Sequence, residues 1–170
     1  PTMQSGNYRC NEFAAAIAIA QLTRLDEQNA LRHENALYLE KELAKIEGFT
    51  TLRRDERVTN QTYFQFAWQY HPEFWRNIPR KYVMRAVRAE LEDSLLYRIP
   101  YVPLNDSPLY RPFSKKTHKL GEDYCKAIDP SQYHLPVIER AAYSEYIGFA
   151  HQHLLSEKAE LDKILEALHK

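Results

Sequence analysis

Between Asn11 and about Glu47 the polar and apolar positions follow a helical pattern in two unequal parts. The first, Phe13-Ala-Ala-Ala-Ile-Ala-Ile-Ala20, is apolar on every side, whereas beyond it the apolar positions thin to a stripe at Leu22, Leu25, Leu39, Leu43 and Ile46. Asn11 suits an N-cap, Glu12 a first turn and Gly48 a C-terminal stop. One long helix, straight or bent, is therefore expected, buried on all sides at its start and half exposed at its end. Its small alanines allow close approach, so the start is expected to pack inside a larger domain outside this chain while the end crosses into a smaller one. A self-contained helical hairpin is the bland alternative.

Downstream, a charged turn at 53–57 precedes Thr62-Tyr-Phe-Gln-Phe-Ala-Trp-Gln-Tyr70, whose aromatic-rich alternation predicts the central strand of a small sheet. A loop over 71–77 leads to Pro79, which opens a helix to about Glu92 with Val83, Val87 and Leu91 inward. A second strand is expected over 95–99. The four prolines of 100–112 predict an ordered extended loop anchored by Tyr101, Tyr110 and Phe113. A helix around Ala141, a short strand over 146–150 and an amphipathic helix over 157–168, capped by Ser156 with Leu161, Ile164, Leu165 and Leu168 inward, complete an α+β small domain. The expected division is 1–48 as the end of a large domain with a long bridging helix, and 49–170 as the small domain.

Composition narrows the classes. Lys plus Arg and Asp plus Glu both number 23 in 170 residues, which gives no electrostatic case for nucleic acid or an anionic membrane. The longest apolar run is far short of the roughly 20 residues that span a bilayer, and no export leader is visible. Two distant cysteines, Cys10 and Cys125, argue against a disulfide framework or a cysteine zinc site and for a cytoplasmic home. Pro1 and a loop-like opening suggest a fragment.

Few motifs carry chemistry by themselves. The glycines Gly6, Gly48, Gly121 and Gly148 are isolated, so there is no glycine-rich phosphate loop, and no nucleophile-elbow pattern surrounds a serine. His151-Gln-His153 places two imidazoles on one face if extended, and with no identifiable third ligand it is read as two histidines beside a pocket in preference to a metal site.

The specific signal is Gly6-Asn-Tyr-Arg-Cys-Asn-Glu-Phe13 running into the alanine-rich helix and Gln21-Leu-Thr-Arg-Leu-Asp26. It resembles the DegT/DnrJ/EryC1/StrS sugar aminotransferases, whose Gly-x-Asn-Tyr-Arg-Met-x-Glu-Phe stretch leads into such a helix. Arg80-Lys-Tyr-Val-Met-Arg-Ala-Val-Arg, Tyr101-Val-Pro-Leu-Asn-Asp-Ser-Pro-Leu-Tyr110, Leu135-Pro136 and Phe149-Ala-His-Gln-His-Leu-Leu155, read there as a strand, fall in the family order. Tyr110-Arg-Pro-Phe113 and the His-x-His-Leu-Leu run look closest to the branch of scyllo-inosose aminotransferases and aminohydroxybenzoate synthases.

The resemblance implies the C-terminal small domain of a fold-type I, pyridoxal-phosphate-dependent transferase, passing an amino group from glutamine to a keto sugar or keto-cyclitol as a homodimer. It implies that Asn7 reaches the cofactor phosphate of the other subunit, with Arg9 and Glu12 as a supporting pair that fixes the turn. It places Tyr101, Asn105, His151 and His153 on the substrate side; many family members carry histidine where Asn105 stands. The resemblance also places the Schiff-base lysine upstream of Gly6; separately, Lys41, Lys45, Lys81 and Lys163 lie on expected helices among charged neighbours, where nothing would depress their pKa or present a cofactor. The chain alone is thus expected to be inactive. The competing expectation is a non-catalytic binding or scaffold module that uses 101–113 for a protein partner.

Overall fold

A computed structural model describes residues 10–91, 103–111 and 120–170. The strand expected over 95–99, and the residues Tyr101 and Phe113, lie outside them. The expected long helix is two: α1 (Glu12–Leu22) and α2 (Leu25–Leu43). Asn11 caps α1 as expected, its Oδ1 accepting from the Phe13 N–H at 2.8 Å. The break follows because the Thr23 hydroxyl donates back to the Ala20 carbonyl at 2.8 Å, and Arg24 donates to the Gln21 side chain while leaving helical geometry.

Within this chain no residue of α1 is buried, and Phe13 is 82% exposed; the packing partner expected for it is a larger domain outside the chain. α2 behaves oppositely. Its Ala36, Leu39 and Leu43 are buried in the core, and Asn35 donates to the carbonyls of Leu154 and Ser156 at 2.8 and 3.0 Å. After α2 the chain tightens through short turns to Gly48, whose φ of 85° is the left-handed stop read from the sequence.

Three antiparallel strands follow in the order β1, β2, β3: β1 (Phe49–Thr51), β2 (Gln65–Tyr70) and β3 (Tyr146–Ala150). β2 is central, as expected, and begins three residues later than the aromatic run. Its alternation is literal: Phe66, Trp68 and Tyr70 point into the core, and Gln65, Ala67 and Gln69 lie on the other face. Around Trp68 gather the rings of Phe49, Phe66 and Phe149, with centroids 6.0 to 6.2 Å away.

Helices α2, α3 (Arg80–Glu90) and α6 (Lys158–His169) cover that apolar face, and their inward residues join one cluster with the strands. In α3, Val87 is buried beside Met84, while Val83 and Leu91 pack at the cluster's edge. In α6, Leu161, Ile164, Leu165 and Leu168 are buried as their spacing predicts. The N-cap position of α6 belongs to Glu157, not Ser156; the Ser156 carbonyl instead receives Asn35. Tyr38 ties α2 to α6 by donating to Asp162, and that carboxylate pushes the phenol up to about 12.

Between α3 and β3 lie α4 (Glu122–Ile128), which the sequence pattern had not singled out, and α5 (Pro136–Arg140). The helix expected around Ala141 is the continuation of α5 as a widened π turn, Ala141–Glu145. Arg80 serves that turn, donating to the Ala142 and Tyr146 carbonyls at 3.2 and 2.6 Å.

Candidate functional site

Among the described residues, chemistry-bearing side chains converge where 103–111 lies against 128–143. The local sequence dictates the shape: Pro103 starts a turn closed by the Asp106 N–H on the Pro103 carbonyl, and Pro108 opens a short 3-10 turn to Tyr110. Four side-chain contacts fasten the loop. Asn105 donates to the Tyr133 carbonyl at 3.0 Å and to Glu139 at 2.9 Å, Tyr143 donates to Asp106 at 2.7 Å, and Arg111 pairs with Asp129 at 3.2 Å.

Glu139 is the hub. One oxygen accepts from Asn105 and from the Leu135 N–H at 2.9 Å, and the other meets His134 at 2.8 Å. Leu135 precedes Pro136 at the start of α5, so the carboxylate satisfies a free helix-start N–H. That N–H, more than Asn105 and His134, holds the Glu139 carboxyl below its ordinary value; Asp129 is likewise lowered, first by Ser131 and then by Arg111.

Both pKa values are lower folded than unfolded. The stabilisation they give the loop is therefore fully present above the ordinary carboxylate values of 4.5 and 3.8, and is lost as pH falls through the lowered folded ones. Amide exchange of 104–111, followed by NMR from pH 7 downward and corrected for intrinsic rates, is expected to show protection constant above about pH 5 and falling below it. Protection unchanged at pH 2 would remove Glu139 and Asp129 as the fastening.

Beside this knot a groove of about 480 Å³ is lined by Leu104, Tyr110, Ile128, Pro130, Tyr133 and Leu135 together with Asn105. Asn105 is only 5% exposed, and its Oδ1 has no hydrogen-bond partner. Sequence reasoning picked out Asn105 but missed Glu139, Asp106 and Tyr143. The one available signal for Glu139 was a carboxylate one turn inside a proline-started helix.

The other sequence candidates are placed apart. His151 and His153 fall in a 3-10 turn (His151–Leu155), because β3 ends at Ala150; the strand expected to run to Leu155, and with it the period-2 pairing of the two imidazoles, is not formed. His151 is half-buried with an unpartnered Nδ1, and its N–H reaches the Phe64 carbonyl at 3.4 Å. His153 sits edge-on to Phe149 at 5.9 Å and lines a different cavity, with Glu90, Ser156 and Glu160. Glu12 is exposed in the first turn of α1; Asn7, Arg9 and Tyr101 lie outside the described residues. Among the described residues no three metal-ligating side chains cluster, and no helix is long and apolar enough to cross a membrane.

A pyridoxal phosphate site needs a lysine amine sheltered from water and donors directed at a phosphate. Every described lysine is exposed, and Lys45, Lys163 and Lys170 are ion-paired with Glu42, Glu160 and Glu90. The described residues do not form such a site.

Known proteins place this architecture. Residues 2–142 match the DegT/DnrJ/EryC1/StrS aminotransferase family, and the chain belongs to that family. It is 37% identical over 166 residues to L-glutamine:2-deoxy-scyllo-inosose aminotransferase of Streptoalloteichus tenebrarius, covering 97% of this chain and 38% of that protein. Its identity to L-glutamine:scyllo-inosose aminotransferase of Streptomyces griseus is 31% over 168 residues, covering 99% of this chain and 39% of that protein. The crystal structure of 3-amino-5-hydroxybenzoic acid synthase superposes with a TM-score of 0.67 at 23% identity, over 98% of this chain and 40% of that one. That last likeness is one of fold. The chain thus spans about two fifths of the length of the curated relatives it matches.

Proposed function

We propose that this chain is the C-terminal part of a pyridoxal-phosphate-dependent aminotransferase that moves an amino group from glutamine to a keto-cyclitol or keto sugar. In this reading 1–48 is the end of a large cofactor domain with the bridging helices, and 49–170 is the small domain. The cofactor is held mainly by residues upstream, and the chain alone does not transaminate. Asn7 supplies a neutral N–H donor to the cofactor phosphate of the other subunit of a homodimer, with Arg9 and Glu12 shaping the turn around it. Tyr101, Asn105, His151 and His153 belong to the substrate side.

Family membership supports the reaction class, and the names of the relatives support the donor and the acceptor class. The structural observation that carries the reading is the contrast between α1 and α2: an all-round apolar helix left exposed leads directly into one whose inner face is locked in the core. Such a helix is stable in water only against a further apolar surface.

Two measurements test it. Fused behind the N-terminal part of the Streptomyces griseus relative, the chain is expected to support glutamine-dependent amination of scyllo-inosose. Asn7→Ala is expected to weaken cofactor retention there about tenfold, as loss of one hydrogen bond to a charged group predicts. A folded, cofactor-loaded and inactive fusion would count against the proposal. The second uses the chain alone: after incubation with pyridoxal phosphate and borohydride, mass spectrometry should find only scattered pyridoxyl labelling, and stoichiometric labelling of one lysine would refute its inactivity.

A further inference from the structure

The stretch 104–143 presents a broad apolar face to solvent. The five large apolar side chains that line the groove beside Glu139 are 44–65% exposed, and Val137, two residues past Leu135, is 71% exposed. Around them, Tyr124 stands one turn before Ile128 on α4, Ile138 follows Val137 on α5, and Tyr143 reaches Asp106 of the loop; these three are 45–58% exposed. A large side chain has roughly 150–250 Å² to bury and about half of it is open here, so the nine together offer on the order of 900 Å². A soluble monomer rarely carries an apolar patch beyond a few hundred Å², and a stable interface takes about 800 Å² from each partner.

We propose that this face docks on the same face of a second copy of the chain, with Val137 of each copy seated in the groove of the other. Three observations choose a second copy over another occupant. A projecting side chain and a groove of about 480 Å³ lie on one face, the self-complementary arrangement that a two-fold contact requires. The main charges of the face are paired inside the chain: Arg111 with Asp129 at 3.2 Å, His134 with Glu139 at 2.8 Å and Arg140 with Glu145 at 2.5 Å. Copy on copy therefore brings little like-charge repulsion, and an acidic or basic partner finds little to attract it. Third, in the reading proposed above the upstream domain covers α1, which joins the small domain through α2, so the 104–143 face is left for another surface. The inference rests on that reading for the existence of a homodimer, and it names the surface by which the two copies meet. It puts the loop of 103–111, and with it the substrate side, at the junction of the copies.

The test is sedimentation equilibrium of the purified chain between about 1 and 100 µM, without pyridoxal phosphate or glutamine, where the parent chain is expected to dimerise. Leu104→Glu and Val137→Glu change positions 65% and 71% exposed, so the circular dichroism should stay that of the parent. Each is expected to raise the dimer dissociation constant about tenfold or more, because docking would bury a carboxylate against carbon. Phe13→Glu, on α1 at 82% exposure, should leave the constant within about twofold. In a mixture of isotope-labelled and unlabelled chains, filtered NOE spectra should connect the Val137 methyls of one copy with the Tyr110 or Tyr133 ring of the other. A monomer at about 100 µM, a dimer untouched by both groove-side variants, a dimer weakened as much by Phe13→Glu, or the absence of those NOEs would each overturn the proposal. The result stands apart from the fusion experiment: an active fusion beside a monomeric chain strikes this proposal alone, and a dimer through this face beside an inactive fusion strikes the transamination reading alone.

Discussion

Trp68→Ala is expected to lower the unfolding free energy by about 3–5 kcal/mol, the range for deleting a fully buried aromatic side chain from a packed core. Trp68 is 1% exposed in the middle of the central strand, and its indole meets the rings of Phe49, Phe66 and Phe149. The three helices that cover the sheet leave it no second position, so alanine opens a cavity that neighbours on regular elements fill poorly. Trp68→Phe is expected to cost under about 2 kcal/mol, because it keeps a ring and removes an indole N–H that is buried without a partner. Urea unfolding of both variants checks this. A Trp68→Phe chain as unstable as Trp68→Ala would mean that the indole N–H has a strong partner after all.

Gly148→Ala is expected to destabilise by about 2–3 kcal/mol, the cost of overpacking. Gly148 faces Ala67 across the β2–β3 ladder, and a Cβ there would lie 2.6 Å from the Phe66 carbonyl oxygen and 2.9 Å from the Tyr146 hydroxyl. The nearer atom belongs to a paired backbone, so relief requires the two strands to separate. Gly121→Ala is the matched control: a Cβ there meets nothing within 4 Å, and the change should stay within about 0.5 kcal/mol. Thermal melts of the two variants beside the parent chain decide it, and a neutral Gly148→Ala would show that the strands lie farther apart than described.

How much of this was legible in the sequence depended on the range of the physics involved. The β2 alternation of Phe66, Trp68 and Tyr70 and the α6 stripe from Leu161 to Leu168 were readable because burial of a repeating face writes itself into nearby positions. β1 was not, since three residues after Gly48 are too few to show a period. The break after Leu22 was equally silent: no glycine or proline marks it, and a threonine hydroxyl and an arginine side chain make it. The apolar composition of α1 predicted a packing partner outside this chain, and within the chain the helix is exposed.

The candidate site was legible only as a roster of polar residues. Asn105 was a reasonable substrate contact from its loop, yet its partners lie 28 and 34 residues away at Tyr133 and Glu139, and nothing local announces them. The pairing of His151 and His153 on one face depended on an extended segment, but β3 ends at Ala150 and passes into a 3-10 turn, so the period changes from two to three.

The interruption at Thr23 and Arg24 also gives the chain a joint. An apolar rod on one side and a core-anchored helix on the other meet at two residues held by their own side chains. Whatever grips the rod acts on the rest of the chain as on a lever whose fixed end is α2, fastened through Asn35 to the turn after β3 and through Leu39 and Leu43 to the core.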